Sequence, residues 1–242
     1  MDKSKHIAET LQDLKLGLDS RGIEFLLTRY DENAIETVDD IDILVSQKDF
    51  TKVIEIMKSR DYEISSHDYA LGGRLPGVQV NLTKEGRIKI DLHWDFTWRR
   101  SRYMDLEFIW QQSETRKIAG VQVQTPKLES DLFLILTNII FEKTYSTKTD
   151  WIFLNKRWKT VVERAGVQQQ VEKYGWSKSF TKFKKSFMAI NSNSQFPVFI
   201  PLQIVLYSFY EKFKKEKKID IVSFLYYVFF RTRFALEGVL PY

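Results

Sequence analysis

Asp40, Asp42 and Asp91 are acids set in apolar company. The first two lie in Val38-Asp39-Asp40-Ile41-Asp42-Ile43-Leu44-Val45, and the third in Arg87-Ile88-Lys89-Ile90-Asp91-Leu92-His93-Trp94. Side chains alternate faces along a strand, so Asp40 and Asp42 share one face while Ile41, Ile43 and Val45 point into a core. Two carboxylates about 7 Å apart along a strand repel each other. A hard divalent cation such as Mg²⁺ is the natural counter-ion, because it takes carboxylate oxygens together with substrate phosphates. Asp91 adds a third acid opposite a buried face of its own. Three acids from two neighbouring strands can hold two metals roughly 3.5–4 Å apart, the arrangement suited to phosphoryl and nucleotidyl transfer. In that scheme Asp40 and Asp42 ligate both ions. Asp91 ligates the ion beside the attacking hydroxyl and helps to remove its proton, while the metals polarise the α-phosphate and stabilise the departing pyrophosphate.

These acids need strands to hold them, and the flanking patterns supply candidates. Ile7, Leu11, Leu14, Leu16 and Leu18 among charges predict a helix over residues 5–20, ended by Gly22. Ile23–Leu27 and Ile41–Val45 read as buried strands. Ser46 or Asp49 then caps a helix whose face is Phe50, Val53, Ile54, Ile56 and Met57, running to about Arg60. Tyr62–Ser65 and Val78–Leu82 read as strands on either side of a loop, His67–Gly77. Arg87–Trp94 places Ile88, Ile90, Leu92 and Trp94 on one side and Lys89, Asp91 and His93 on the other, the period of a half-exposed strand. Arg116–Gln124 reads as a hairpin about Ala119-Gly120, stopped by Pro126. From Leu128 the period becomes helical, with further helices expected near Trp151–Arg164, Val171–Asn191, Pro201–Lys215 and Ile219–Leu236. The fold class expected is α+β: a small mixed sheet with flanking helices over residues 1–125, then an all-helical domain over 126–242.

Composition narrows the chemistry. The chain has 242 residues, 43% of them hydrophobic, enough for one large domain or two modest ones. It contains no cysteine, which excludes disulfides, thiolate metal sites and cysteine nucleophiles and suits a cytoplasmic home. The apolar stretches Phe196–Tyr210 and Ile219–Phe230 are too short to span a bilayer and read as buried helices, with a membrane-surface contact as the alternative. Residues 1–147 hold 20 Lys and Arg against 25 Asp and Glu, whereas 148–242 hold 17 against 7. An acidic front suits a metal-binding head. A basic back either steers an anionic partner or is a solvated helical surface.

The succession of strand, Asp-Ile-Asp-Ile-Leu-Val, capped helix and later Lys-Ile-Asp-Leu-His-Trp resembles the DNA polymerase beta-like nucleotidyltransferase superfamily. Within it the chain is most similar to an uncharacterised bacterial and archaeal nucleotidyltransferase family with a DIDLLV-type motif and a later vDLHW. The resemblance covers about residues 23–100. It implies a small mixed sheet backed by helices, dependence on Mg²⁺ or Mn²⁺, and transfer of a nucleoside monophosphate from an NTP. The superfamily usually carries a Gly-Ser or Lys-Gly turn after its first strand. Here the equivalent is Leu27-Thr28-Arg29-Tyr30, where the Thr28 hydroxyl and the Arg29 guanidinium can grip phosphate instead.

His93 shares the Asp91 face, where it either orients a phosphate or packs and hydrogen-bonds. Zinc is disfavoured, with no cysteine and with His6 and His67 distant in sequence. Trp98-Arg99-Arg100-Ser101-Arg102 is a basic cluster suited to the NTP or to an anionic acceptor. Lys48 and Lys52, at the start of the helix after the first acidic strand, are weaker candidates of the same kind. Gly72-Gly73-Arg74 matches no phosphate-binding fingerprint and reads as a turn. Trp151, Trp158 and the many Phe of the back half read as helix-packing core rather than a base-stacking platform.

Three functions compete on this sequence: an NMP transferase acting on a small molecule, a protein or an RNA end; a non-catalytic relative used for binding or regulation, favoured by the absent glycine turn; and an RNA-directed enzyme whose basic back half grips the acceptor.

Overall fold

The computed structural model describes residues 3–30, 38–67, 79–98, 101–143, 145–146, 148–161, 165–188, 198–199, 204 and 210–211. The chain opens with helix α1, Lys3–Leu18, in which Ile7, Leu11, Leu14 and Leu18 recur at helical spacing and are wholly buried. Leu16, expected on the same stripe, is 65% exposed because its position falls on the opposite side of the helix. Gly22 ends the following 3₁₀ turn with φ of 62°, as the sequence predicts.

Five strands then form one mixed sheet. They are β1 Phe25–Thr28, β2 Asp40–Val45, β3 Glu63–His67, β4 Gln79–Thr83 and β5 Lys89–His93, in the spatial order β1-β2-β5-β4-β3. Helix α2, Phe50–Lys58, lies between β2 and β3 in sequence and buries Val53, Ile56 and Met57. β2 and β5 run parallel, and every other pair is antiparallel. A parallel pair cannot be joined by a tight turn, and α2, β3 and β4 make the crossover. Asp49 occupies the residue before α2 but caps nothing; it accepts a 2.6 Å bond from the Ser46 hydroxyl instead.

Alternation along the strands separates two apolar layers. Ile41, Ile43, Val45, Val80, Leu82, Ile90 and Leu92 pack with the α1 stripe and α2. The hydroxyl of buried Thr10 on α1 accepts the Ile88 amide at 3.1 Å, tying the helix to the approach to β5. Leu26 and Leu44, pointing the other way, join Phe96, Tyr103, Phe133 and Trp176 in the second layer. That second face is therefore apolar toward the C-terminal end of β2 and acidic at its start.

Beyond β5 the chain forms a two-residue ladder of β6, Thr97–Trp98, and β7, Ser101–Arg102, followed by a short helix α3, Leu106–Gln111. The expected hairpin exists as β8, Ser113–Ile118, and β9, Val121–Pro126. Its turn has positive φ at both Ala119 (46°) and Gly120 (86°), the primed geometry that matches strand twist. Helix α4, Leu128–Thr137, buries every residue from Ser130 to Thr137 and continues as a π-helical turn, Asn138–Lys143. Helices α5 Lys148–Val161, α6 Ala165–Lys173 and α7 Ser177–Met188 join the second layer. α6 and α7 replace the single helix expected over Val171–Asn191, since Gly175, at φ of 70°, breaks it. Trp158 stacks on Phe187 at 4.8 Å and Trp176 meets Phe180 edge-on, so these described back-half aromatics are packing residues, as expected. Among the described residues the only β-structure after residue 126 is a two-residue ladder of β10, Tyr145–Ser146, with β11, Val198–Phe199. No helix among them is long and apolar enough to cross a membrane. The expected loop beyond His67 and most of the expected helices 201–215 and 219–236 lie outside the described residues.

Candidate active site

The three acids lie on the second face of the sheet. In the parallel ladder Asp42 stands directly opposite Asp91, and Asp40 opposite Lys89. Neighbouring strands are only about 4.8 Å apart, so the ladder itself forces like charges together. Asp91 feels this most. Burial, then Asp42, then Asp40 push its carboxyl above the ordinary value, while Lys89 opposes them. Gln79, on β4, donates to Asp91 Oδ2 at 3.1 Å.

Two side-chain cations answer the repulsion. Lys89 Nζ lies 2.9 Å from Asp40 Oδ2 and 3.1 Å from Asp91 Oδ1. Burial works against the Lys89 ammonium, but its bonds to those two carboxylates outweigh it and stabilise the charged form. The Arg29 guanidinium pairs with Asp42 Oδ1, and His93 Nε2 stands 3.1 Å from the same oxygen. Burial alone would raise the Asp42 carboxyl; Arg29 and His93 overcome it and hold Asp42 at about 2. An ionised carboxylate only accepts, so Nε2 of His93 carries the proton and donates. Arg29 Nη2, 3.5 Å from that nitrogen, is then a second donor to Asp42 rather than a partner of His93. The His93 ring is 5.0 Å from Phe96, and the Arg29 guanidinium lies 5.5 Å from the same ring, so one aromatic steadies both donors.

The turn after β1 explains how the chain manages without glycine. Arg29 has φ of 56°, the left-handed conformation that glycine adopts readily and other residues at a cost of about 1–2 kcal/mol. Asp131 of α4, itself buried, accepts the Arg29 amide at 2.6 Å and secures that conformation. The Thr28 hydroxyl is buried against the sheet and donates to the Asp42 carbonyl at 3.3 Å.

Of the residues expected at the site, Asp40, Asp42, Asp91, Thr28, Arg29 and His93 are brought together. Lys48 is exposed in the turn after Val45, beyond the far end of β2 from Asp40. Arg99 and Arg100 lie outside the described residues. Their neighbour Arg102 pairs with buried Asp95 at 2.8 Å. Sequence reasoning gave no role to Lys89, Gln79 or Asp131. Lys89 was nonetheless legible as a cation two residues before Asp91 on the same face. Asp131 is an acid just ahead of the apolar run Leu132–Leu136, a signal that says it is satisfied but not by what.

Hard carboxylate oxygens on one face are the right donors for a divalent cation, and the raised Asp91 carboxyl marks a place where positive charge is favoured. The side chains are arranged around Lys89 and Arg29, and among the described residues no three His, Asp or Glu converge as a ligand set. Donor type and face fit the metal; ligation requires the carboxylates to turn from their resident cations.

The mixed sheet thus presents three carboxylates on one face, with Asp42 against Asp91 in its parallel pair. A family model described as "Uncharacterised nucleotidyltransferase" matches residues 22–182, and the chain belongs to that family. No curated protein sequence matches significantly. Among solved structures, the antibiotic-resistance factor ANT(2'')-Ia in solution is similar with a TM-score of 0.47 at 14% identity, over 78% of this chain and 97% of that one. A nucleotidyltransferase candidate from Thermotoga maritima gives 0.43 at 17% identity, over 62% and 93% respectively. The crystal structure of ANT(2'')-Ia with adenylyl-2''-tobramycin gives 0.37 at 11% identity, over 75% and 96%. The family match, rather than these distant likenesses, fixes the class.

Proposed function

We propose that the chain transfers a nucleoside monophosphate from an NTP to an acceptor hydroxyl, using a divalent cation, Mg²⁺ or Mn²⁺, held by Asp40, Asp42 and Asp91. The observation that carries this is the register of β2 on β5, which sets Asp42 against Asp91 with Asp40 on the same face. When bound, the metal supplies charge to polarise the α-phosphate and to stabilise the leaving pyrophosphate. Arg29, the guanidinium beside the acids among the described residues, holds a phosphate oxygen in this reading. His93, donating from Nε2, orients Asp42. Asp91, flanked by Gln79 and Lys89, takes the acceptor's proton in this reading. We assign these steps to residues 1–125 and acceptor binding to residues 126–242, whose excess of Lys and Arg suits an anionic acceptor, RNA among them.

The test is a screen of radiolabelled NTPs with Mg²⁺ or Mn²⁺ against cell extract, comparing wild type with an Asp40→Ala/Asp42→Ala double variant. Label that appears on an acceptor with the wild type alone supports the proposal. Equal labelling by both chains removes the acids from the mechanism. The pairing of every acid with a resident cation favours a second reading, a regulatory module that keeps the scaffold without catalysis. Calorimetry separates the two: heat of NTP and metal binding supports the enzyme, and silence across all four NTPs supports the module.

A further inference from the structure

We propose that Lys89 is a built-in cation of the site, standing between Asp40 and Asp91 where a second metal ion would otherwise sit, so that the chain works with one divalent ion. The inference rests on the metal-binding role just proposed for the three acids.

Its first support is that the contacts of Lys89 are imposed by the sheet. Lys89 is the cross-strand partner of Asp40 in the parallel ladder and lies two residues before Asp91 on one strand. Both carboxylates therefore face it whatever the rest of the chain does, and its ammonium reaches them at 2.9 and 3.1 Å. An ammonium with three donors serves two carboxylates at once as a compact point charge, a role the planar guanidinium fills less well.

Charge gives the second support. Three carboxylates face two resident cations, Lys89 and Arg29, which leaves one net negative charge. A single divalent ion takes that charge to one net positive, whereas two would leave the site with three excess positive charges before any nucleotide arrives. Mg²⁺ commonly enters such sites already bound to substrate phosphates. Lys89 touches one oxygen of Asp40 and one of Asp91, and Arg29 and His93 share one oxygen of Asp42, so each acid keeps its other oxygen to offer that single ion. Lys89 then does for Asp40 and Asp91 what the second ion does in a two-metal site: it holds two repelling acids at a fixed separation.

The experiment is to count bound Mn²⁺ by electron paramagnetic resonance on the full chain, alone and with the α,β-methylene analogue of each NTP in turn. Wild type is expected to bind one ion per chain, and Lys89→Met two, with affinity for the second ion improved at least about tenfold. Two ions on the wild type, or one on both chains, overturns the inference. The wild-type count decides the matter even where Lys89→Met fails to fold, which a thermal melt would reveal. Labelled NMP transfer by a wild type that binds two ions removes the Lys89 role and leaves the proposed activity standing. No ion and no analogue bound to either chain overturns both.

Discussion

Asp42 and Asp91 face each other across the parallel β2–β5 ladder, yet their environments drive them apart. Arg29 and His93 hold Asp42 at about 2 in spite of its burial. Burial and its acidic neighbours push Asp91 upward. The same substitution should therefore act differently at the two positions. Asp42→Asn strips the Arg29 guanidinium, 13% exposed, of its charge partner and is expected to cost about 3 kcal/mol of stability. Asp91→Asn relieves repulsion and is expected to change stability by less than about 1 kcal/mol. NMP transfer should fall about 100-fold in both, the upper end of what the loss of even an outer-shell partner costs a metal site. Thermal melting beside a transfer assay separates the two effects, and equal destabilisation by both variants would contradict the asymmetry.

Arg29→Gly isolates the backbone of the β1 turn from its charge. Glycine takes the φ of 56° without strain and recovers about 1 kcal/mol. The Asp42 carboxyl, left with burial and His93, rises from about 2. Because the folded-state value is depressed in the wild type, Asp42 contributes stability above its unfolded value of about 3.8 and loses it as pH falls through about 2. In Arg29→Gly that acid limb moves to higher pH, and part of the contribution at neutral pH disappears. A carbon-13 carboxyl titration reads the change directly; an unmoved Asp42 would show that Arg29 does not set its charge.

The acidic strands were legible because period-two alternation in Asp40–Val45 and Lys89–His93 fixes which residues share a face, and the sheet obeys it at every position. Period alone could not supply register. That Asp42 meets Asp91, and Asp40 meets Lys89, depends on the parallel pairing across the whole α2-β3-β4 crossover. The conformation of the glycine-free turn was not legible for a related reason: left-handed backbone at Arg29 is secured by Asp131, a residue 102 positions away. Helix α3 and the β6–β7 ladder went unseen, being six residues and two residues per strand, too short for the apolar pattern to repeat.

Gly17 tests the layer that supports the site from behind. A Cβ there would lie 2.9 Å from Ile56 Cγ2 and 3.0 Å from Arg60 Nε, where α1 crosses α2. Alanine gains about 1 kcal/mol of helix propensity against that contact, so the larger valine gives the clearer result. Gly17→Val should destabilise by about 1–3 kcal/mol through overpacking against the β-branched Ile56. Its transfer activity below the melting transition should stay within about twofold, because β2 and β5 are not displaced. Chemical denaturation measures the first; a loss of activity without loss of stability would mean that α1 and α2 reach the site.

Asp105 gives a pH dependence remote from the acids of the sheet. It precedes α3 and accepts bonds from Lys173 at 2.6 Å, from Gln170 at 3.2 Å and from the Tyr174 hydroxyl, joining the strand side of the molecule to α6. Burial opposes its ionisation, but Lys173, Tyr174 and Gln170 outweigh it and lower the carboxyl below 3.8. The Tyr174 hydroxyl is pushed upward by burial and by Asp105, so it remains a donor throughout. A depressed folded-state value means that the unfolded chain binds the proton more readily. The stabilising contribution is therefore complete above about pH 5 and declines as pH falls below the unfolded value and through the folded one. Asp105→Asn, which keeps the shape and one acceptor, should be less stable than wild type by about 1 kcal/mol at pH 7, given the partial exposure of the cluster. The difference should shrink steadily toward pH 3, as wild type loses the charge that the variant never had. Urea unfolding of both chains between pH 3 and pH 8 measures it, and a difference independent of pH would assign the cost to packing rather than to the carboxylate.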